Sequence, residues 1–193
     1  GDVYKRQELK TTVVQRNRKN EFDKDLYPKF GSLGVLGQTV KTHGGSGTSN
    51  LAYGLVAYEF EKIDSSYRSS ISVQSSLVIH PISEFGSEEQ KDKYLPELIK
   101  GEKIGCFGLT ESEAGSDPAS MKTTFKKTKD GYILNGSKNW ITNAPIADIF
   151  IIWAIEEGKD HKSIRGFILE KNSEGLNTST IKNKTSLKIS PTG

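Results

Sequence analysis

The chain has 193 residues, with 27 lysines and arginines against 24 aspartates and glutamates and a formal charge of +3. That balance excludes the dense basic face of a nucleic-acid binder, and no apolar run approaches the roughly 18 residues of a membrane-spanning helix. The single cysteine, Cys106, excludes an internal disulfide and stands in an apolar run, IGCFGL, where it reads as a buried small hydrophobe.

The N-terminal GDVYKRQ has neither the apolar core nor the cleavage site of a signal peptide. After it, an apolar run, LGVLGQTV, leads into His43-Gly-Gly-Ser-Gly-Thr-Ser-Asn50, which imitates a dinucleotide fingerprint. The glycine pattern of that fingerprint would require glycine or alanine where Asn50 stands, so a loop ending in a serine or threonine N-cap is preferred. No P-loop motif occurs.

From about residue 49 to 100 the apolar positions recur at helical spacing. Leu51, Leu55 and Tyr58 form one stripe, and Tyr67, Ile71, Val78 and Ile82 form another. Ser87-Glu-Glu-Gln90 is a capping box, which predicts a helix through KDKYLPELIK, disturbed by Pro96 and stopped at Gly101. Within this region Arg68, Ser69 and Ser72 lie close together on a helix, so a guanidinium and a hydroxyl can converge on one carboxylate. Arg68 can equally be a solvated arginine paired with Glu61 or Asp64.

After Gly101 the pattern changes to short β-branched and aromatic runs: IGCFGLT, MKTTFKKT, YILNGSKNWIT, DIFIIWAI and IRGFILEK. Asp130-Gly131 reads as the turn of a hairpin. The expected fold class is α+β, an N-terminal α-helical domain over residues 1–103 followed by an antiparallel, β-barrel-like middle domain over residues 104–193. The last run, SLKISPTG, is expected to end in mid-sheet.

The stretch Gly108 to Asp117, GLTESEAGSD, joins two glycines to a cluster of hydroxyls and carboxylates. Asp117-Pro118 predicts a capped short helix after it, and such a helix end attracts an anion. A capped corner with no ligand explains the same residues. Trp140 and Thr142, read as a strand, would share one face and could meet one flat ligand if this loop lies beside them. His43, His80 and His161 stand apart, without metal-ligand spacing.

The ordered series LGVLG, YRSSISVQSSLVIHPI, FGSEEQKDKYLPELIKGEKIGCFGLTESEAGSDPASM, LNGSKNWITNAPIADIF and RGFILEK, covering roughly residues 20 to 193, resembles the acyl-CoA dehydrogenase family. The YRSS segment points to its glutaryl-CoA branch. The resemblance implies the first two domains of a three-domain fold that holds FAD between domains in a dimer or tetramer. It places flavin contacts at Phe107, Gly108, Leu109, Thr110, Gly115 and Ser116 and at Trp140, Ile141 and Thr142, with Trp140 covering the ring face opposite the substrate. It assigns the distal substrate carboxylate to Arg68, with Ser69 or Ser72 assisting and Glu61 a possible partner, and puts Ser116 near the thioester or the pyrophosphate.

The implied reaction removes the proton α to an acyl-CoA thioester while a hydride leaves the β carbon for the flavin. With glutaryl-CoA this ends in crotonyl-CoA and CO2, a step of lysine and tryptophan catabolism, with electron-transfer flavoprotein as acceptor. The family base is a glutamate of the C-terminal helical domain, and no residue here matches it, so no catalytic residue is assigned; Glu111 and Glu113 receive no such role. GDVYKRQ matches nothing expected of the family, and the chain reads as part of a longer protein, inactive by itself and weak in flavin affinity. A non-catalytic acyl-CoA or flavin-binding module is the reading from another class. The compartment implied is a bacterial cytoplasm or a mitochondrial matrix.

Overall fold

A computed structural model describes residues 8–193, and the GDVYKRQ segment lies outside the described residues. The first half is helical: α1 (Val13–Lys19), α2 (Leu26–Ser32), α3 (Asn50–Glu61), α4 (Ser65–Ser72), a π-helical segment (Val73–Ile79), α5 (His80–Phe85) and α6 (Glu88–Lys100). Ser49 caps α3 by accepting the N–H of Ala52 at 3.2 Å, so the glycine-rich loop before it is a helix entry. At α6 both halves of the capping box form, and Gly101 ends the helix at φ +73°. The helix continues through Pro96, which removes one ladder bond without breaking it. Gly101 is required twice over, since a Cβ there would sit 2.1 Å from the Tyr27 carbonyl oxygen.

Tyr67, Ile71, Val78 and Ile82 are all buried and form the spine of the helical core with Tyr27, Phe30, Leu95 and Leu98. The other stripe behaves differently. Leu51, Leu55 and Tyr58 face solvent, and α3 turns Phe60 inward instead. Periodicity identifies an apolar face but not what covers it.

The second half is a mixed sheet around β4 (Ile149–Glu156). β1 (Gly105–Gly108) runs parallel to it, and β2 (Thr124–Lys127) joins the same strand farther along, also parallel. β5 (Arg165–Glu170) pairs antiparallel with β4, and β3 (Tyr132–Asn135) pairs antiparallel with β2 across the Asp130-Gly131 turn. The expectation of a purely antiparallel sheet is thereby corrected. A short turn dictates antiparallel pairing only for the strands it joins, whereas β1 and β4 are separated by a long connection that lets them run the same way. The sheet is open: β3 and β5 share no ladder, although Tyr132 and Phe167 meet edge-on at 5.3 Å.

Alternation along these strands makes two faces. Phe107, Ile149, Ile151, Trp153 and Ile168 join the helical core, while Cys106, Phe150, Ile152 and Leu169 form a second cluster with Ile141 and Ala144. Cys106 is fully buried, and burial pushes its thiol far up from the ordinary value. Among the described residues no helix is long and apolar enough to cross a membrane.

The two halves are joined at Gly105. A Cβ there would lie 2.5 Å from Val78 Cγ1, so only glycine lets β1 lie this close to the π segment. The N–H of Gly105 donates to Gln74 Oε1 at 2.8 Å, and its carbonyl accepts from Asn143 Nδ2 at 3.0 Å.

Candidate functional site

The site begins where β1 ends. Glu111 and Ala114 exchange backbone hydrogen bonds, each 3.2 Å, which folds residues 111–114 into a tight turn. Asp117 accepts the N–H of Ala119 at 3.2 Å, but the helix it caps is a single 3-10 turn, Pro118–Ser120. One turn carries little dipole, so the anion site expected at this helix end lacks its physical basis.

Residues 138–142 lie directly against this loop. The Asn139 N–H donates to the Thr110 carbonyl at 2.9 Å, and Lys138 Nζ donates to the Leu109 carbonyl at 3.0 Å. The expectation that Trp140 and Thr142 lie on one strand is corrected: β3 stops at Asn135, and Trp140 has φ +63°. Backbone of that kind is rare for a bulky residue and must be held in place by its surroundings. Here Asn139 Oδ1 accepts the Trp140 N–H at 3.0 Å, Ile141 is buried, and Ile141 exchanges two backbone hydrogen bonds with Gly193. Thr142 bridges Thr192, and Asn143, itself at φ +72°, ties the segment to Gly105 of β1. The SLKISPTG run thus ends by pairing with residues 141–143 and forms no strand of its own.

The result is a pair of walls. The hydroxyls of Thr110, Ser116 and Thr142 have no hydrogen-bond partner among the described residues, and the Trp140 indole is 58% exposed despite its fixed backbone. An exposed aromatic plane beside a loop with free hydroxyls suits a flat ligand with a polar edge, by stacking and by hydrogen bonding. Leu109 is half-buried beside Thr110, and Gly115 is open on its outer side. Phe107 and Gly108 belong to β1: the Phe107 ring turns toward the helices and meets Trp153 at 5.9 Å, and Gly108 lies against Ile152.

Glu111 and Lys138 were not singled out as site residues from the sequence. They form an ion pair at 2.8 Å with both side chains only 8% exposed. The Glu111 carboxylate also accepts the N–H groups of Lys122 at 2.6 Å and Thr123 at 2.9 Å. Burial opposes its ionisation, but Lys138 and these N–H donors outweigh burial and hold the carboxyl at about 2. Burial also lowers the Lys138 ammonium, and the bond to Glu111 offsets only part of that. A carboxylate so firmly charged and fully engaged is unsuited to take a proton from carbon.

Arg68, Ser69 and Ser72 sit on a separate element, α4. Arg68 Nε donates to Glu61 Oε2 at 2.7 Å and stays 36% exposed, and Ser65 donates to the other Glu61 oxygen. These two partners, Ser65 first, hold the Glu61 carboxyl below its ordinary range. Asp64 is not a partner of Arg68; it caps α4 through the Ser66 N–H and accepts from Asn17. Among the described residues no group of three histidine, cysteine or acidic side chains is placed to hold a metal.

The family model for the acyl-CoA dehydrogenase N-terminal domain matches residues 4–102, and that for the middle domain matches residues 106–193. A short-chain-specific acyl-CoA dehydrogenase of Megasphaera elsdenii is 39% identical over 190 residues, covering 95% of this chain and 50% of its own. The mitochondrial isovaleryl-CoA dehydrogenase of Pongo abelii is 40% identical over 182 residues, covering 91% of this chain and 43% of its own. A crystal structure of a glutaryl-CoA dehydrogenase from Mycobacterium smegmatis in complex with FADH2 superposes with a TM-score of 0.94 at 41% identity, covering 98% of this chain and 48% of that one. The chain spans about half the length of the relatives it matches. With two consecutive family models matched along almost its entire length and the same fold at this level of identity, the chain belongs to the acyl-CoA dehydrogenase family.

Proposed function

We propose that this chain supplies the flavin-facing walls and part of the acyl pocket of an FAD-dependent acyl-CoA dehydrogenase whose substrate is glutaryl-CoA or a closely similar dicarboxylic thioester. The observation that carries the flavin reading is the meeting of residues 109–112 with 138–139, which sets the exposed Trp140 beside a loop that carries the free Thr110 hydroxyl. Trp140 would cover one face of the ring system and exclude water from it. Thr110 and Thr142 would donate to its polar edge, and Ser116 would reach the pyrophosphate or the thioester. FAD, when bound, supplies the hydride acceptor for oxidation of the α,β bond. No residue of this chain is assigned as the base, and electron-transfer flavoprotein is the proposed acceptor. The protein is proposed to act as a homodimer or homotetramer in a bacterial cytoplasm or mitochondrial matrix, with residues 1–103 and 104–193 as its first two domains.

Replacing Trp140 by alanine is expected to weaken FAD binding about tenfold by removing one stacking face, which flavin fluorescence titration measures. Affinity unchanged from the unaltered protein would sink the assignment of that indole.

Arg68 carries the dicarboxylate reading. An incoming carboxylate would bind the guanidinium in competition with Glu61, already present at 2.7 Å. Arg68→Ala is expected to lower kcat/KM for glutaryl-CoA about 100-fold and to change that for butyryl-CoA by less than about threefold. Equal losses on both substrates would refute the role. A monocarboxylic substrate is the second reading, favoured by the fact that Glu61 already compensates the Arg68 charge without a ligand. Release of CO2 from glutaryl-CoA against oxidation of butyryl-CoA or isovaleryl-CoA by the full gene product separates the two.

A further inference from the structure

We propose that Glu111 and Lys138 are positioning residues whose buried ion pair clamps the two walls of the flavin pocket at a set spacing, a role that rests on the flavin reading above. The pair ties together three stretches distant in sequence. Glu111 holds the backbone of Lys122 and Thr123, Lys138 holds Glu111, and the same Nζ holds the Leu109 carbonyl at 3.0 Å. Met121 Sδ lies 3.9 Å from that ammonium, and the Lys138 stem packs beside Gly108 at the end of β1.

The consequence falls on Thr110 and Trp140. Thr110 is pinned between two neighbouring carbonyl contacts, Leu109 to Lys138 and Thr110 to Asn139. Trp140 follows two residues after Lys138 at φ +63°, and the residue between them, Asn139, bonds both the Thr110 carbonyl and the Trp140 N–H. If Lys138 shifts, the indole and the Thr110 hydroxyl move relative to each other.

Burying two charges is costly, and an apolar pair of similar size often serves stability as well. The return here is geometric. Lys138 Nζ bonds to both the first wall's backbone and its carboxylate, so a hydrophobic replacement would fill the volume without fixing the register.

The test uses the full gene product with FAD and compares Glu111→Gln, Lys138→Met and Lys138→Arg with Ile71→Val, a mild destabilisation in the helical core. The readouts are FAD affinity, melting temperature, and the visible absorption and residual fluorescence of flavin at saturation. Glu111→Gln and Lys138→Met are expected to weaken FAD binding about tenfold or more and to alter the spectrum of the saturated protein. Lys138→Arg, which keeps the ion pair, should fall between them and the unaltered protein. Ile71→Val should lower the melting temperature and leave the spectrum alone. A wild-type spectrum and affinity in all three site variants, whatever their melting temperatures, overturns the clamp. Failure of the unaltered protein to bind FAD overturns the flavin reading with it, and needs no variant to detect.

Discussion

Gln74→Leu is expected to lower the unfolding free energy by about 4 kcal/mol, a large fraction of the total for a chain of this size. Gln74 is fully buried in the π-helical segment. Its Nε2 donates to the carbonyls of Leu98 and Lys103, both at 2.9 Å, and its Oε1 accepts the Gly105 N–H at 2.8 Å. Leucine fills nearly the same volume, so the loss is almost wholly polar. The Leu98 carbonyl would keep the Gly101 N–H at 3.2 Å, but Lys103 and Gly105 would lose their partners at the junction of helices and sheet. Each orphaned buried group costs about 1–3 kcal/mol. Urea unfolding followed by circular dichroism measures the change, with exposed Lys126→Ala as the control expected to stay within about 0.5 kcal/mol. A loss no greater than the control's would mean that water replaces both bonds and the junction is not held as described.

Glu111 is expected to make stability fall in acid by about 3 kcal/mol more in the unaltered protein than in Glu111→Gln. Its carboxyl is held at about 2 when folded, against an ordinary value of 4.5. A group more acidic in the folded state stabilises fully above its unfolded value, and that contribution is lost as the pH falls from about 4.5 through 2. The other depressed carboxyls, Asp23, Glu61, Glu89 and Glu170, are present in both proteins and largely cancel in the comparison. Unfolding free energies measured between pH 6 and pH 2 should therefore converge for the two proteins toward the acid end. Parallel curves would show that Lys138 and the two backbone donors do not hold the charge.

Legibility followed the range of the interactions. The capping box joins Ser87 to Gln90 three residues away, and the hairpin turn at Asp130-Gly131 joins adjacent strands, so both could be read in order along the chain. The buried stripe on α4 and α5 was equally plain. The supposed strand over 140–142 was not, because Trp-Ile-Thr has strong β propensity while its actual backbone is set by Asn139, Asn143 and the distant Gly193. The site is half legible: the hydroxyl-rich loop and the Trp140 segment stand out in the sequence, whereas their contact is only a condition there and is made by the fold. The partner that defines the role of Glu111, Lys138, lies 27 positions away and meets it only in the folded chain.

The sequence by itself determined the N-cap that ends the glycine-rich loop, both ends of α6, the change from helix to strand near residue 101, the burial of Cys106 and the choice of family, because these depend on neighbours three or four residues apart or on motifs read in order. Only the tertiary structure decided that the sheet is mixed, that the Leu51 face is uncovered, and that Gln74, Glu111, Lys138 and Asn143 join separate stretches. Those outcomes depend on which backbone groups remain unpaired once the chain has closed on itself, and a buried polar side chain takes its partner from wherever the fold leaves one.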